Sequence, residues 1–166
     1  MLNYKLNKKQ KLEQSYIYVA NTIYNVMNDK GSKIVCFTSS LSNKLDKYLI
    51  LKNVHGKMLN NGKNVLFINT DECVKDNSDV NFMNINDCSK KILQDVLNDN
   101  KDKYDMIMVN AAPVRLFANA VEYAKLCDST IIMERYLYSR YSDYESTILK
   151  LKQNNVKISG VVTYKW

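Results

Sequence analysis

Residues 33–71, KIVCFTSSLSNKLDKYLILKNVHGKMLNNGKNVLFINTD, decide the fold. They open on an apolar run, Ile34-Val35-Cys36-Phe37, and cross a polar loop. Tyr48, Leu51, Val54 and Met58 then recur at spacings of three and four, which places them on one face of a helix over residues 46–60. A turn at Gly62 follows, and Val65-Leu66-Phe67-Ile68 begins a second strand. The loop between the first strand and the helix, SLSNKLDKY, contains no glycine.

Beyond this stretch, strand and helix patterns go on alternating without a sequence repeat. Met106-Ile107-Met108-Val109, Thr130-Ile131-Ile132-Met133 and residues 158–162 are short continuous apolar runs of the kind that fills a strand covered on both faces. Helical patterns occupy residues 90–97, 116–126 and 141–151. Strands alternating with helices imply parallel pairing through right-handed crossovers. The expected architecture is a three-layer α/β/α, doubly wound and mainly parallel sheet, one domain over residues 1–166. An N-terminal helix over about residues 8–27 precedes it and stops at Asp29-Lys30-Gly31. Ligands of such sheets bind at the carboxyl ends of the strands, here the loops after Thr38, Ile68 and Val109.

Composition narrows the functional classes. A chain of 166 residues with 46% hydrophobic and 25% charged residues supports one full core and argues against disorder. No run is apolar enough to span a bilayer, and the opening MLNYKLNKKQKLEQ lacks a signal core, so a soluble cytosolic protein is expected. Cys36, Cys73, Cys88 and Cys127 form no C-x-x-C pair, and with one histidine they point to reduced structural thiols rather than a zinc site. The net charge of +7 comes from lysines spread over the whole chain, which reads as a solvated surface with no nucleic acid partner.

The motif order resembles the bacterial tyrosine kinases (BY-kinases) of capsule and exopolysaccharide synthesis, a branch of the MinD and ParA-like phosphate-loop ATPases. Residues 33–39 resemble the family's first strand and its T-S ending. Residues 60–71, NNGKNVLFINTD, resemble A-x-x-G-x-x-V-L-L-I-D-x-D, and residues 104–114, YDMIMVNAAPV, resemble Y-D-x-I-I-I-D-x-P-P-V. Cys127-Asp128 before a strand and Gly160-Val161-Val162 near the end continue the series, so the resemblance covers about residues 13–164.

Carried over residue by residue, the resemblance implies a lost nucleotide site. The family's G-x-G-K-[ST]-[ST] falls on Asn43, Lys44, Leu45, Asp46, Lys47 and Tyr48, where both glycines are missing and its lysine falls on Asp46. The magnesium and catalytic aspartates fall on Asn69, Asp71 and Asn110, and the asparagine near adenine on Tyr164. Losing a charge-assisted phosphate contact costs about 1.5–3 kcal/mol, and an aspartate about 4 Å from an anion adds about 4 kcal/mol of repulsion at an effective dielectric near 20. Together they weaken nucleotide binding by about three orders of magnitude. Magnesium favours carboxylates beside phosphate, and two of the three positions are neutral amides. The side chains of Leu45 and Tyr48 are expected to collapse onto the sheet and fill the loop.

The expectation is therefore a pseudokinase that binds rather than catalyses, with no cofactor. Its implied partner is the cytosolic tail of a membrane polysaccharide co-polymerase or an active kinase paralogue, which would recruit it to the inner face of the membrane. Two alternatives stand beside it. One is a working tyrosine kinase with ATP and magnesium held by Lys44 or Lys47 and Asp71; the other is a MinD or ParA-like scaffold on a membrane or DNA. The family's E-x-x-R-x-x-R subunit contact falls on Glu13, Tyr16 and Val19, so ring assembly through it is not expected. Tyr136, Tyr138, Tyr141 and Tyr144, with Arg135 and Arg140 between them, form either a partner surface or phosphoacceptor cluster, or an amphipathic helix start half buried on the sheet. His55 reads as a packed or surface residue, and Asp71-Glu72 as a solvated loop.

Overall fold

The structure, a computed structural model, describes residues 7–41, 44–71, 81–85 and 89–165. Asn43, Glu72, Cys73 and Cys88 lie outside the described residues, as do the side chains of Lys44 and Leu45. In chain order the elements are α1 (Lys8–Asp29), β1 (Ile34–Thr38), α2 (Lys44–Asn60), β2 (Val65–Asn69), β3 (Phe82–Asn84), α3 (Lys90–Asn100), β4 (Met106–Asn110), α4 (Ala118–Lys125), β5 (Ser129–Arg135), α5 (Tyr141–Gln153) and β6 (Ile158–Tyr164). The strands form one sheet in the order β3-β2-β4-β1-β5-β6, with every pair parallel.

Two-residue periodicity splits the strands between two cores. Val35 and Phe37 of β1, Val65 and Phe67 of β2, and Met106 and Met108 of β4 point toward α1 and α2. Cys36, Leu66, Ile68, Ile107 and Val109 point the other way, toward α3, α4 and α5. This is why the runs read as continuously apolar: each residue is buried on one face or the other. Full burial of each such side chain contributes about 1.5–3 kcal/mol.

Local signals set the ends. Asn7 caps α1 reciprocally with Gln10, each side chain taking the other's backbone N–H at 2.9 Å. Gly62, at φ +73°, closes α2 in a conformation that costs a side-chain-bearing residue strain. Two aspartates start strands across the sheet. Asp128 accepts from the N–H groups of Lys33 and Ile34, both at 2.8 Å, and Asp105 accepts from Asn64 N–H at 3.1 Å.

The apolar runs predict five strands, and the structure adds a sixth, β3. It is three residues long, sits at the sheet edge and is only partly buried, so it leaves no apolar run. The last helical pattern before β5 also begins later than expected: Leu116 and Phe117 belong to an exposed turn, and α4 starts at Ala118.

Candidate functional site at the carboxyl ends of the strands

The loop after β1 leaves the sheet between β4 and β5, and the side chains of Thr38, Ser39 and Ser40 each find a hydrogen-bond acceptor inside the protein. Thr38 Oγ1 donates to the Ala112 carbonyl at 2.7 Å, and Ser39 Oγ donates to Leu41 at 3.0 Å. Ser40 offers the two donors that face β5. Its N–H meets Glu134 Oε1 at 2.9 Å and its hydroxyl meets Glu134 Oε2 at 2.8 Å, while Ser139 Oγ donates to the same oxygen. Glu134, only 7% exposed, thus gives this loop an internal anion. Nothing in the sequence marked it, because Ser40 and Glu134 are 94 residues apart and Glu134 belongs to no motif.

Counting along the loop from β1 puts the resembling family's lysine at Asp46. The helix turns Asp46 aside, where its carboxylate pairs with Arg135 Nη1 at 3.2 Å. The next residue points inward. Lys47 is 1% exposed, and its ammonium donates to the Ala111 carbonyl just beyond β4. Tyr48, 2% exposed, lies over Phe67 and Phe82 with ring centroids 6.1 and 6.3 Å away, so it packs on the sheet as expected.

Two of the positions expected to replace metal carboxylates, Asn69 and Asn110, form a connected row of amides with Asn84, which the sequence did not mark. Asn110 Nδ2 donates to Asn69 Oδ1 at 2.7 Å, and Asn69 Nδ2 donates to Asn84 Oδ1 at 2.8 Å. These residues close β4, β2 and β3 and are direct register partners, Asn69 with Asn110 and Asn69 with Asn84. Asn69 also donates to the Asp71 carbonyl at 3.2 Å. Carboxylates at 69 and 110 would repel one another and call for a cation; an amide pair can donate and accept between its members without one. Asn110 Oδ1 remains buried without a hydrogen-bond partner among the described residues, and Asp71, expected in a solvated loop, is instead 2% exposed because it follows β2 directly into the strand-end region beside the row. Among the described residues no three His, Cys, Asp or Glu side chains converge as a metal site would require.

Other candidates lie apart from these loops. His55 is buried, with Nε2 2.9 Å from the Val65 carbonyl and its ring stacked on Phe67 at 5.6 Å. Cys36 is a buried free thiol. Cys127 is also free, and its pKa is pushed well up by a hydrogen bond with Cys36 and by burial. Tyr164 lies half-buried at the end of β6. Burial, reinforced by Asp46 and Glu134, pushes its phenol up to about 12. The tyrosine cluster divides: Tyr144 is partly buried and packs against the core as the half-buried reading expects, whereas the other three do not. Tyr136, Tyr138 and Tyr141 are 54%, 51% and 76% exposed, because the turn after β5, with Leu137 at φ +60°, carries the chain off the sheet before α5 begins.

With this arrangement established, known structures give the fold its place. The BceF tyrosine kinase domain superposes with a TM-score of 0.76 at 14% identity, covering 91% of this chain and 76% of that one. The kinase domain of Escherichia coli tyrosine kinase ETK gives 0.77 at 14% identity over 92% and 75%. The fold is that of the bacterial tyrosine kinase domains. The VpsO kinase domain agrees, at 0.75 and 14% identity over 95% and 98%. The MinD cell division protein of Aquifex aeolicus shares it more distantly, at 0.64 and 15% identity over 79% and 68%. No family model matches the sequence, and no curated protein sequence matches it. No helix among the described residues is long and apolar enough to cross a membrane.

Proposed function

We propose that this kinase-like fold serves as a nucleotide-independent binding partner, regulating capsular or exopolysaccharide synthesis. It docks on the cytosolic tail of a membrane polysaccharide co-polymerase or on an active kinase paralogue, and through that partner reaches the inner face of the membrane. The observation that carries the reading is the internal use of the site's polar groups. Glu134 takes the N–H and hydroxyl of Ser40, and the amides at 69 and 110, where relatives are expected to hold metal through carboxylates, bond each other, with Asn84 extending the row. A phosphate entering the loop has to displace a carboxylate already bonded there and meets no matching metal ligands at 69 or 110.

One observation favours a second reading, an active ATP-dependent tyrosine kinase. Lys47 buries an ammonium at the strand ends, and Asp71 buries a carboxylate nearby in the same strand-end region. The alternative assigns Lys47 to phosphate and Asp71 to magnesium. Thermal unfolding and calorimetry with Mg-ATP separate the two. A nucleotide present at about 100 times its Kd stabilises the fold by about 2.7 kcal/mol, which raises Tm by about 5–10 °C. The binding-partner reading expects no heat and no shift up to about 1 mM nucleotide; saturable heat with that shift overturns it.

A further inference from the structure

The far edge of the sheet differs in kind from the strand-end site. β6 has seven residues, ISGVVTY, without a charge or a proline, and among the described residues nothing pairs with its outer side. Long uncharged edges invite strand addition, and charges or prolines normally blunt them. The backbone orientation is readable. Tyr136 N–H donates to the Tyr164 carbonyl at 2.8 Å, so Tyr164 faces β5, and by two-residue alternation Val161 and Thr163 present their N–H and C=O groups to the open edge.

Alongside the edge runs an apolar groove roofed by α1. Its two cavities, about 280 and 170 Å³, share Val162; the first is walled by Leu12, Tyr16 and Val19, the second by Ile23 and Val26. The roof from Leu12 to Val26 is about 21 Å long at the helical rise, and seven residues of strand span about 23 Å, so one added strand fills its length. Leu12, Val26 and Val161 are 47%, 36% and 42% exposed along it.

Charge selects the occupant. Leu12 and Lys165 both line the first cavity, and the exposed Lys8, Lys9 and Lys11 fill the first turn of α1, which has no acidic residue. The acidic Glu13, Asp46 and Glu134 are already engaged by Lys57, by Arg135 and by Ser40 and Ser139. Lysines at the positive end of a helix dipole are unfavourable and favour an anionic neighbour. A second copy fits poorly. Antiparallel pairing of two β6 strands about Val161 sets Lys157 opposite Lys165, between chains that each carry +7. We propose that β6 and the α1 groove receive an extended segment of a partner protein, apolar at alternate positions and flanked by acidic residues, as an added strand. This holds whether or not the strand-end site takes nucleotide.

The probe is a fluorescent peptide of alternating valine and threonine with aspartate pairs at both ends, against a control with lysine pairs, titrated by anisotropy onto the full chain. Saturable binding of the acidic peptide, at least about tenfold tighter than the control, is expected. Thr163→Pro removes an outward N–H while sparing the bonds to β5, so it should weaken binding at least about tenfold with Tm nearly unchanged. Lys165→Glu, an exposed change, should weaken the acidic peptide and strengthen the control. Absence of saturation up to about 1 mM, equal affinity for both peptides, or binding unaffected by both variants overturns the proposal. A concentration-dependent dimer abolished by Thr163→Pro gives the edge to a second copy and also overturns it.

Discussion

Glu134 ties the loop after β1 to the turn after β5 through three hydrogen bonds, so its replacement is a direct probe of that loop. Glu134→Ala removes a carboxylate bonded to Ser40 N–H, Ser40 Oγ and Ser139 Oγ and leaves those donors inside the protein. We expect a loss of about 2 kcal/mol, measured by urea unfolding at neutral pH. Tyr164 supplies a pH signature. Its folded pKa is raised to about 12 against an ordinary value of 10, so between those values the unfolded chain sheds a proton that the native chain keeps. That contribution is fully present below pH 10 and is lost as pH rises toward 12. Thermal scans across this window should show a steeper alkaline decline in the wild type than in Tyr164→Phe. Neither residue's role is legible in the sequence, because each acts through neighbours brought together only by the sheet.

At the scale of elements, the amide row joins β4 to β2 and β2 to β3, so a one-atom change tests three strands together. Asn69→Asp keeps an acceptor for Asn110 but loses the donor to Asn84. It should cost about 1–3 kcal/mol at pH 7, part of it recovered on acidification when the carboxyl regains a proton to donate; pH-dependent chemical denaturation measures both. The element pattern also shows what could be read beforehand. β1, β2 and β4 were evident because both faces are covered and their residues are apolar without alternation. β3 was not, because Phe82-Met83-Asn84 is too short to form such a run and its place comes from pairing with β2. The inward turn of Lys47 in place of Asp46 has the same origin. Each helical residue rotates the side chain by about 100°, and the number of residues the loop consumes before α2 starts is fixed by its contacts.

For the whole molecule, stability rests on two cores sharing one sheet. Phe67 is fully buried and touches Tyr48, His55 and Phe82 on the α1 and α2 side. Phe67→Ala should cost about 3–5 kcal/mol by opening a cavity there, and calorimetry should place its Tm about 10 °C lower. The three-layer architecture was legible because alternation of strand and helix leaves few ways to bury both sheet faces. The chemistry was less so: the lost carboxylates at 69 and 110 stand in the sequence, whereas the anion that occupies the loop comes from β5.

The strand order also governs how the chain can be made. β1 lies between β4 and β5, so both its partners emerge from the ribosome long after it does. Until residues 106–110 are synthesised, β1 has no neighbour; until residues 129–135 follow, one of its edges stays open. Only β2 and β3 can pair early, through three residues on the β3 side. A nascent chain stalled at about residue 100 should therefore be protease-sensitive throughout, with protection appearing abruptly once β5 has cleared the exit tunnel.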